Sequence, residues 1–287
     1  MSKRAVVTQD PATWGLGAVS HRDPGATSYV YDDAAGEGTY AYIVDTGIND
    51  AHNDFEGRAS KAFTAFPGDE EDSVGHGTHV AGTIGSATYG VSKKATLLAV
   101  KVFQGSSSST SIILEGFNWA ADDIVSNGRE NAAVVNLSLG GGYSASFNAA
   151  IDAASASGVV SAIAAGNSAA DAANFSPASA ATAITVGSID SEWAISYFSN
   201  WGTVLDIFAP GSDIESTWIG GPDATNIISG TSMATPHVAG LVLYAFSVEG
   251  ATGVAGVTDF LTSVATPDKV SGSINGSPNL VGYNNVE

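Results

Sequence analysis

The chain has 287 residues, 44% of them hydrophobic, and carries 10 Lys and Arg against 29 Asp and Glu, a formal net charge of -19. That composition is globular and the length is enough to bury a large core, while so acidic a surface is repelled by nucleic acid and by anionic membranes. The absence of cysteine excludes disulfides, thiolate metal sites and a cysteine nucleophile. The acidity fits plain solubility outside a cell, or adaptation to salt or to cationic substrates.

No repeat, linker or composition break divides the sequence, so residues 1–287 read as one domain. Apolar, β-branched runs at Tyr40–Val44, Thr96–Phe103, Ala133–Leu139, Val159–Ala164 and Ala183–Gly187 read as parallel strands buried on both faces. Between them, Ile113, Phe117, Ala120, Ala121 and Ile124 recur at helical spacing, so one face of that helix is buried. Residues 146–157 and 232–248 also read as helices. No apolar run reaches the roughly 18 residues of a membrane span; the longest, Val238–Val248, reads as a buried helix. No signal peptide opens the sequence, so the chain reads as cytosolic or as an already processed form. Strand–helix–strand alternation predicts an α/β fold with a mainly parallel, doubly wound sheet, and such sheets place their sites at the carboxyl ends of strands.

The chemistry-bearing residues fall at those ends. Asp45 closes Ala41-Tyr42-Ile43-Val44-Asp45 and precedes Thr46-Gly47, a place that suits a turn cap or a catalytic acid. His76 opens His76-Gly77-Thr78-His79-Val80-Ala81-Gly82. Two histidines three apart lack the spacing and the Glu of a zinc-binding HExxH helix, so His76 reads as an acid–base residue and His79 as packed or capping. Ser232 lies in Gly230-Thr231-Ser232-Met233-Ala234-Thr235-Pro236, at the start of a helix. A serine there is an N-cap or an accessible nucleophile beside backbone N–H donors. Asn167 follows Ala164-Ala165-Gly166, as a turn residue or as an amide donor to a developing oxyanion. The order Asp, His, Ser differs from that of α/β-hydrolases and chymotrypsin-like enzymes, and no G-x-S-x-G elbow surrounds Ser232.

These three segments resemble the three signatures of the subtilases, and the likeness runs from Trp14-Gly15-Leu16 to Tyr283-Asn284. Lys101-Val102-Phe103-Gln104-Gly105 and Ser138-Leu139-Gly140-Gly141 are similar to the proteinase K branch, and within it to the oryzin-like fungal alkaline proteases. The resemblance implies a serine endopeptidase of broad specificity, with Ser232 as nucleophile, His76 as base and then acid, Asp45 as its orienter, and Asn167 with the Ser232 N–H as oxyanion hole. It implies that Ser138, Leu139 and Gly140, with Ser106, Ser107 and Ser108, pair with an extended substrate. The pocket before the cut should be wide and uncharged, favouring large apolar or aromatic side chains. Thr110 should leave a distal pocket open. It further implies a structural Ca²⁺ on the carbonyls of Ala181 and Ala183 and the Asp206 carboxylate, protein substrates, an inhibitory propeptide before maturation, a monomer, and a secreted or else vacuolar enzyme. Residues 1–4 then read as an extension ahead of a mature start near Ala5.

The run Asp69-Glu70-Glu71-Asp72 almost reaches His76. It reads as a solvated acidic loop, or as a field that raises the His76 pKa and favours basic substrate residues. Of the Asn-X-Ser sequences at Asn136, Asn174 and Asn275, the first falls in an expected buried strand, which argues against a glycan, and the other two, each with Pro after the Ser, are weak acceptors. Three rivals are set against this reading: a peptide-binding pseudoenzyme, opposed by the presence of Asp45, His76, Ser232 and Asn167; an esterase, opposed by the residue order and the missing elbow; and a metalloenzyme, which activity resistant to a zinc-selective chelator would reject.

Overall fold

The computed structural model describes residues 5–286, so the extension expected at residues 1–4 lies outside the described residues. Strands β1 (Tyr40–Asp45), β2 (Ala59–Thr64), β3 (Thr96–Lys101), β4 (Ala133–Leu137), β5 (Val160–Ala164), β6 (Ile184–Ile189), β7 (Ile207–Pro210), β8 (Thr266–Pro267) and β9 (Leu280–Val281) form one sheet. Its spatial order is 8-9-7-6-5-4-1-3-2. Every neighbouring pair is parallel except β8–β9, at one edge. β4, β5 and β6 are buried at every residue, as expected where helices cover both faces of a sheet.

Helices α1 (His76–Gly85) and α4 (Thr231–Tyr244) cover one face, through Val80, Ala81, Ile84, Met233 and Val238. Helices α2 (Thr110–Ser126) and α3 (Ala145–Ala156) cover the other, through Phe117, Ala120, Ile124, Phe147 and Ile151. A last helix, α5 (Gly253–Val264), adds Val257 and Leu261 to the first face. α4 is apolar all round because sheet and helices enclose it. Its final turn passes into a π-turn over Ala245–Glu249 and stops at Gly250, with φ of 71°. Among the described residues no single helix is long and apolar enough to cross a membrane.

Two expected strands are shorter than their apolar runs. The ladder ends at Lys101 and at Leu137, and residues 102–103 and 138–139 leave it at the carboxyl edge, where the site lies. β2 and β7, like the two-residue strands β8 and β9, have no counterpart in the sequence reading. β2 is a half-buried edge strand, and β7 is four residues long and ends in proline, so neither presents a sustained apolar pattern.

Candidate active site

Asp45 is the last residue of the central strand β1, and His76 is the first residue of α1. Both Asp45 carboxylate oxygens face His76 Nδ1, at 2.7 and 2.9 Å. Oδ1 also accepts from the Thr46 N–H at 2.7 Å. Asp45 is buried, whereas the His76 side chain keeps 28% exposure, so its far edge is open to a substrate. Burial disfavours the imidazolium, yet the charge and hydrogen bond of Asp45, with help from Asp72, raise the His76 pKa above its ordinary value.

Two glycines allow this approach. A Cβ on Gly77 would lie 2.1 Å from the Gly47 carbonyl oxygen, and one on Gly75, whose φ is +97°, would lie 2.5 Å from the Trp218 ring. Gly75 has no side chain to cap α1, so Asp72 does it from outside. Asp72 Oδ1 accepts from the N–H groups of Val74 and Gly75, and Oδ2 from the N–H and hydroxyl of Thr78. Thr46 completes the cap, donating its hydroxyl to Asp72 and accepting from the Gly77 N–H. The acidic run is therefore not simply a solvated loop: Asp72 is buried and anchors the histidine helix. Of that run only Asp72 is among the charges that raise His76, while Glu71 is paired with Lys61 at 2.6 Å. The effect on His76 anticipated for the run comes from Asp72.

Ser232 is the second residue of α4, which packs beside α1 across the shared core. Its hydroxyl donates to the Ser138 carbonyl at 3.0 Å; among the described residues no hydrogen bond joins it to His76. Asn167 follows β5 through Gly166, with φ of +103°. Its Oδ1 accepts from the Thr231 N–H at 2.8 Å and the Thr231 hydroxyl at 2.9 Å. These bonds decide which end of the amide is oxygen and leave Nδ2 free to donate. A Cβ built on Gly230 would lie 3.6 Å from both Asn167 Nδ2 and Ser232 N, so the two donors border one space.

A recess of about 260 Å³ opens beside them between Leu139–Gly142, Ala164–Ser168 and Thr231–Ser232, with no charged residue in its wall. A second cleft of about 460 Å³ shares Leu139–Gly142 and is closed by Phe103, Ser106–Thr110, Ile113 and Phe147. Leu139 and Gly140 thus line both, and Ser138 lies buried behind them. Within the serine segment, Ser107 exchanges both backbone hydrogen bonds with Gln104 at 3.0 and 3.1 Å. This hairpin occupies both the backbone N–H and the carbonyl of Ser107.

Asp206 precedes β7 and lies against the backbone just past Ala183, accepting from the Thr185 N–H at 2.8 Å. Burial raises its carboxyl pKa to about 6. His79 is packed rather than capping: it is buried, its Nε2 donates to the Ile214 carbonyl at 2.9 Å, and its Nδ1 has no partner. Among the described residues no cluster of His, Cys, Asp and Glu could hold a metal.

Burial holds His79 and His237 neutral, with pKa values of about 4. The unfolded chain takes up protons at the ordinary imidazole pKa near 6.5, before the folded one does. Stability is therefore full above about pH 6.5 and falls as the pH drops toward 4, by up to roughly 3 kcal/mol for each histidine. Urea midpoints measured between pH 8 and 4 should fall mostly within that window, and His237→Gln should flatten the fall.

The Subtilase family profile matches residues 36–283. The chain is 62% identical over 283 residues to an alkaline proteinase of Hapsidospora chrysogena, covering 99% of this chain and 70% of that protein. It is 57% identical over 279 residues to alkaline protease 1 of Aspergillus oryzae, covering 97% and 69%. A solved cold-adapted subtilisin-like serine proteinase superposes with a TM-score of 0.88 at 41% identity, over 97% of this chain and all of that one. The chain belongs to the subtilase family, the subtilisin-type serine endopeptidases.

Proposed function

We propose that this endopeptidase works through a covalent acyl-enzyme, with Ser232 as nucleophile, His76 as general base and acid, and Asp45 as the group that fixes the imidazole. The observation that carries this is the close Asp45–His76 pairing at the end of the central strand, which occupies Nδ1 and leaves the other edge of the partly exposed His76 ring without a partner. Asp45 holds the proton on Nδ1, so Nε2 is the basic nitrogen. Rotation about the Ser232 Cα–Cβ bond turns its hydroxyl from the Ser138 carbonyl to His76. Nε2 then takes the proton as Oγ bonds to the substrate carbonyl carbon. Asn167 Nδ2 and the Ser232 N–H stabilise the oxyanion. His76 returns the proton to the leaving amine, and water attacks the acyl group by the same route in reverse.

The substrate lies extended between residues 138–140 and the backbones of Ser106 and Ser108, by strand addition. The uncharged recess beside Asn167 takes a large apolar or aromatic side chain before the cut. Thr110, at the mouth of the second cleft, leaves room for a bulky side chain further upstream. Secretion, a monomeric state and a propeptide that occupies this cleft before maturation belong to the same reading and rest on the family resemblance. The test is incubation with phenylmethanesulfonyl fluoride, followed by intact mass, peptide mapping and turnover of a succinylated peptide ending in Phe. One adduct on Ser232 with loss of activity is expected; turnover that survives full labelling of Ser232 overturns the assignment.

Calcium fits the residues expected to hold it. The half-buried Asp206 carboxyl receives one backbone N–H, on Oδ2, and its raised pKa marks a charge that a cation would stabilise. Asp206 with the carbonyls of Ala181 and Ala183 would hold Ca²⁺, which would brace β6 against β7. A folded pKa above the unfolded value means that, without metal, stability falls as the pH rises through 6. Calcium should therefore raise Tm more at pH 8 than at pH 5. Asp206→Asn should abolish that difference and be the more stable protein at pH 8 in chelator.

A further inference from the structure

Asn136 is an amide in the middle of an apolar strand, fully buried, with its Oδ1 unpartnered. An orphaned buried acceptor is destabilising, and the sheet has no use for it, since valine or leucine would fill the same position. Its Nδ2 donates to Ser138 Oγ at 2.9 Å, and the Ser138 hydroxyl, its lone pair thus occupied, donates its single proton to the Ser232 carbonyl at 2.8 Å. All donor directions in this chain are fixed.

The Ser232 carbonyl needs that bond for a reason visible in the sequence. In a helix the carbonyl of residue i accepts from the N–H of residue i+4. Four residues after Ser232 stands Pro236, inside α4, and proline has no N–H. The Ser138 hydroxyl takes the place of the missing donor. In return the Ser232 hydroxyl donates to the Ser138 carbonyl at 3.0 Å. The two serines thus clamp the peptide unit of Ser232 to the end of β4, and only the torsion about Cα–Cβ is left to carry the hydroxyl to His76.

We propose that Asn136 and the Ser138 side chain are positioning residues that hold the Ser232 backbone in register for attack, with Pro236 making that hold necessary. The inference rests on Ser232 being the nucleophile. Neither side chain touches the substrate. Removing either one loosens the nucleophile and leaves the substrate-pairing backbone in place, so kcat falls and KM does not.

The experiment uses steady-state kinetics on the succinylated Phe peptide, sulfonylation rates at Ser232, and Tm. Ser138→Ala should lower kcat and the sulfonylation rate by about 10- to 100-fold, the scale of a small misplacement of reacting atoms, with KM within about twofold. Asn136→Leu deletes the orphaned oxygen, so it should keep or raise Tm while lowering kcat; a merely structural role lowers both. With Pro236→Ala an N–H returns to the Ser232 carbonyl, and in that background Ser138→Ala should reduce kcat by less than about threefold. Ser138→Ala or Asn136→Leu with kcat within about twofold of the parent, in a chain that labels at Ser232, overturns the proposal alone. A parent chain that turns over substrate without labelling at Ser232 overturns the reading beneath it. If Ser138→Ala does not fold, Asn136→Leu and the Pro236→Ala pair decide the matter.

Discussion

Asp45→Asn should lower kcat/KM on the succinylated Phe peptide by about 10⁴-fold while leaving the fold intact. The fold survives because the asparagine oxygen still accepts from the Thr46 N–H, which now meets Asp45 Oδ1 at 2.7 Å. The activity does not survive because the asparagine NH₂ donates toward Nδ1. That reverses the tautomer and places the proton on Nε2, where the base must be free. The pH profile should move as well. His76 is held above its ordinary value of 6.5 by Asp45 against the opposing effect of burial. With Asp45 neutral, burial dominates and the residual activity should show an acidic limb below that of the parent. The limb moves down because the base must be neutral to act, and a lower pKa keeps it neutral to lower pH. A limb that stays in place would mean that Asp45 does not set the His76 pKa.

The sheet was legible in the sequence wherever strands are buried on both faces, because such strands are continuous apolar runs. The runs at β1, β4 and β5 differ from the observed strands by a residue or two at their ends. Strands that depend on a neighbour rather than on composition were not legible: Ala59–Thr64 holds an edge through pairing with β3. At the site, the Asp45–His76 pair, which the structure brings within 2.7 Å, was legible because few other uses exist for an acid at a strand end followed by a histidine that opens a helix. The residues that support them were not. Asp72 hides in an acidic run that looks solvated, and only the glycine at 75, which cannot cap its own helix, hints that a carboxylate must do so. Lys101 is buried, with its ammonium on the Thr46 carbonyl at 2.8 Å, yet in sequence it is one more alternating residue of a strand. Asn136 carried a signal in plain view, a polar amide amid Val134, Val135 and Leu137. Only its hydrogen bonds show what that amide faces.

The second large effect is expected at Asn167, where two substitutions separate the two ends of one amide. Its Nδ2 borders the same space as the Ser232 N–H, and its Oδ1 holds the start of α4 through the Thr231 N–H and hydroxyl. Asn167→Ala removes both functions. Loss of the donor should lower kcat by about 10²–10³ with little change in KM, since the bond forms fully only to the oxyanion. Loss of the acceptor frees a helix N-terminal N–H, a change comparable to deleting an N-cap, so stability should fall by about 1 kcal/mol. Asn167→Asp keeps an oxygen for Thr231 and should keep Tm, but it turns a second oxygen, charged at neutral pH, toward the developing oxyanion. Its kcat should fall at least as far as that of the alanine variant and should not recover at lower pH, because His76, held above its ordinary value, protonates before a carboxylate does. Equal losses of kcat and Tm in both variants would mean that Asn167 serves only the helix end. A stable aspartate variant with kcat reduced by two to three orders of magnitude assigns the amide hydrogen to the transition state.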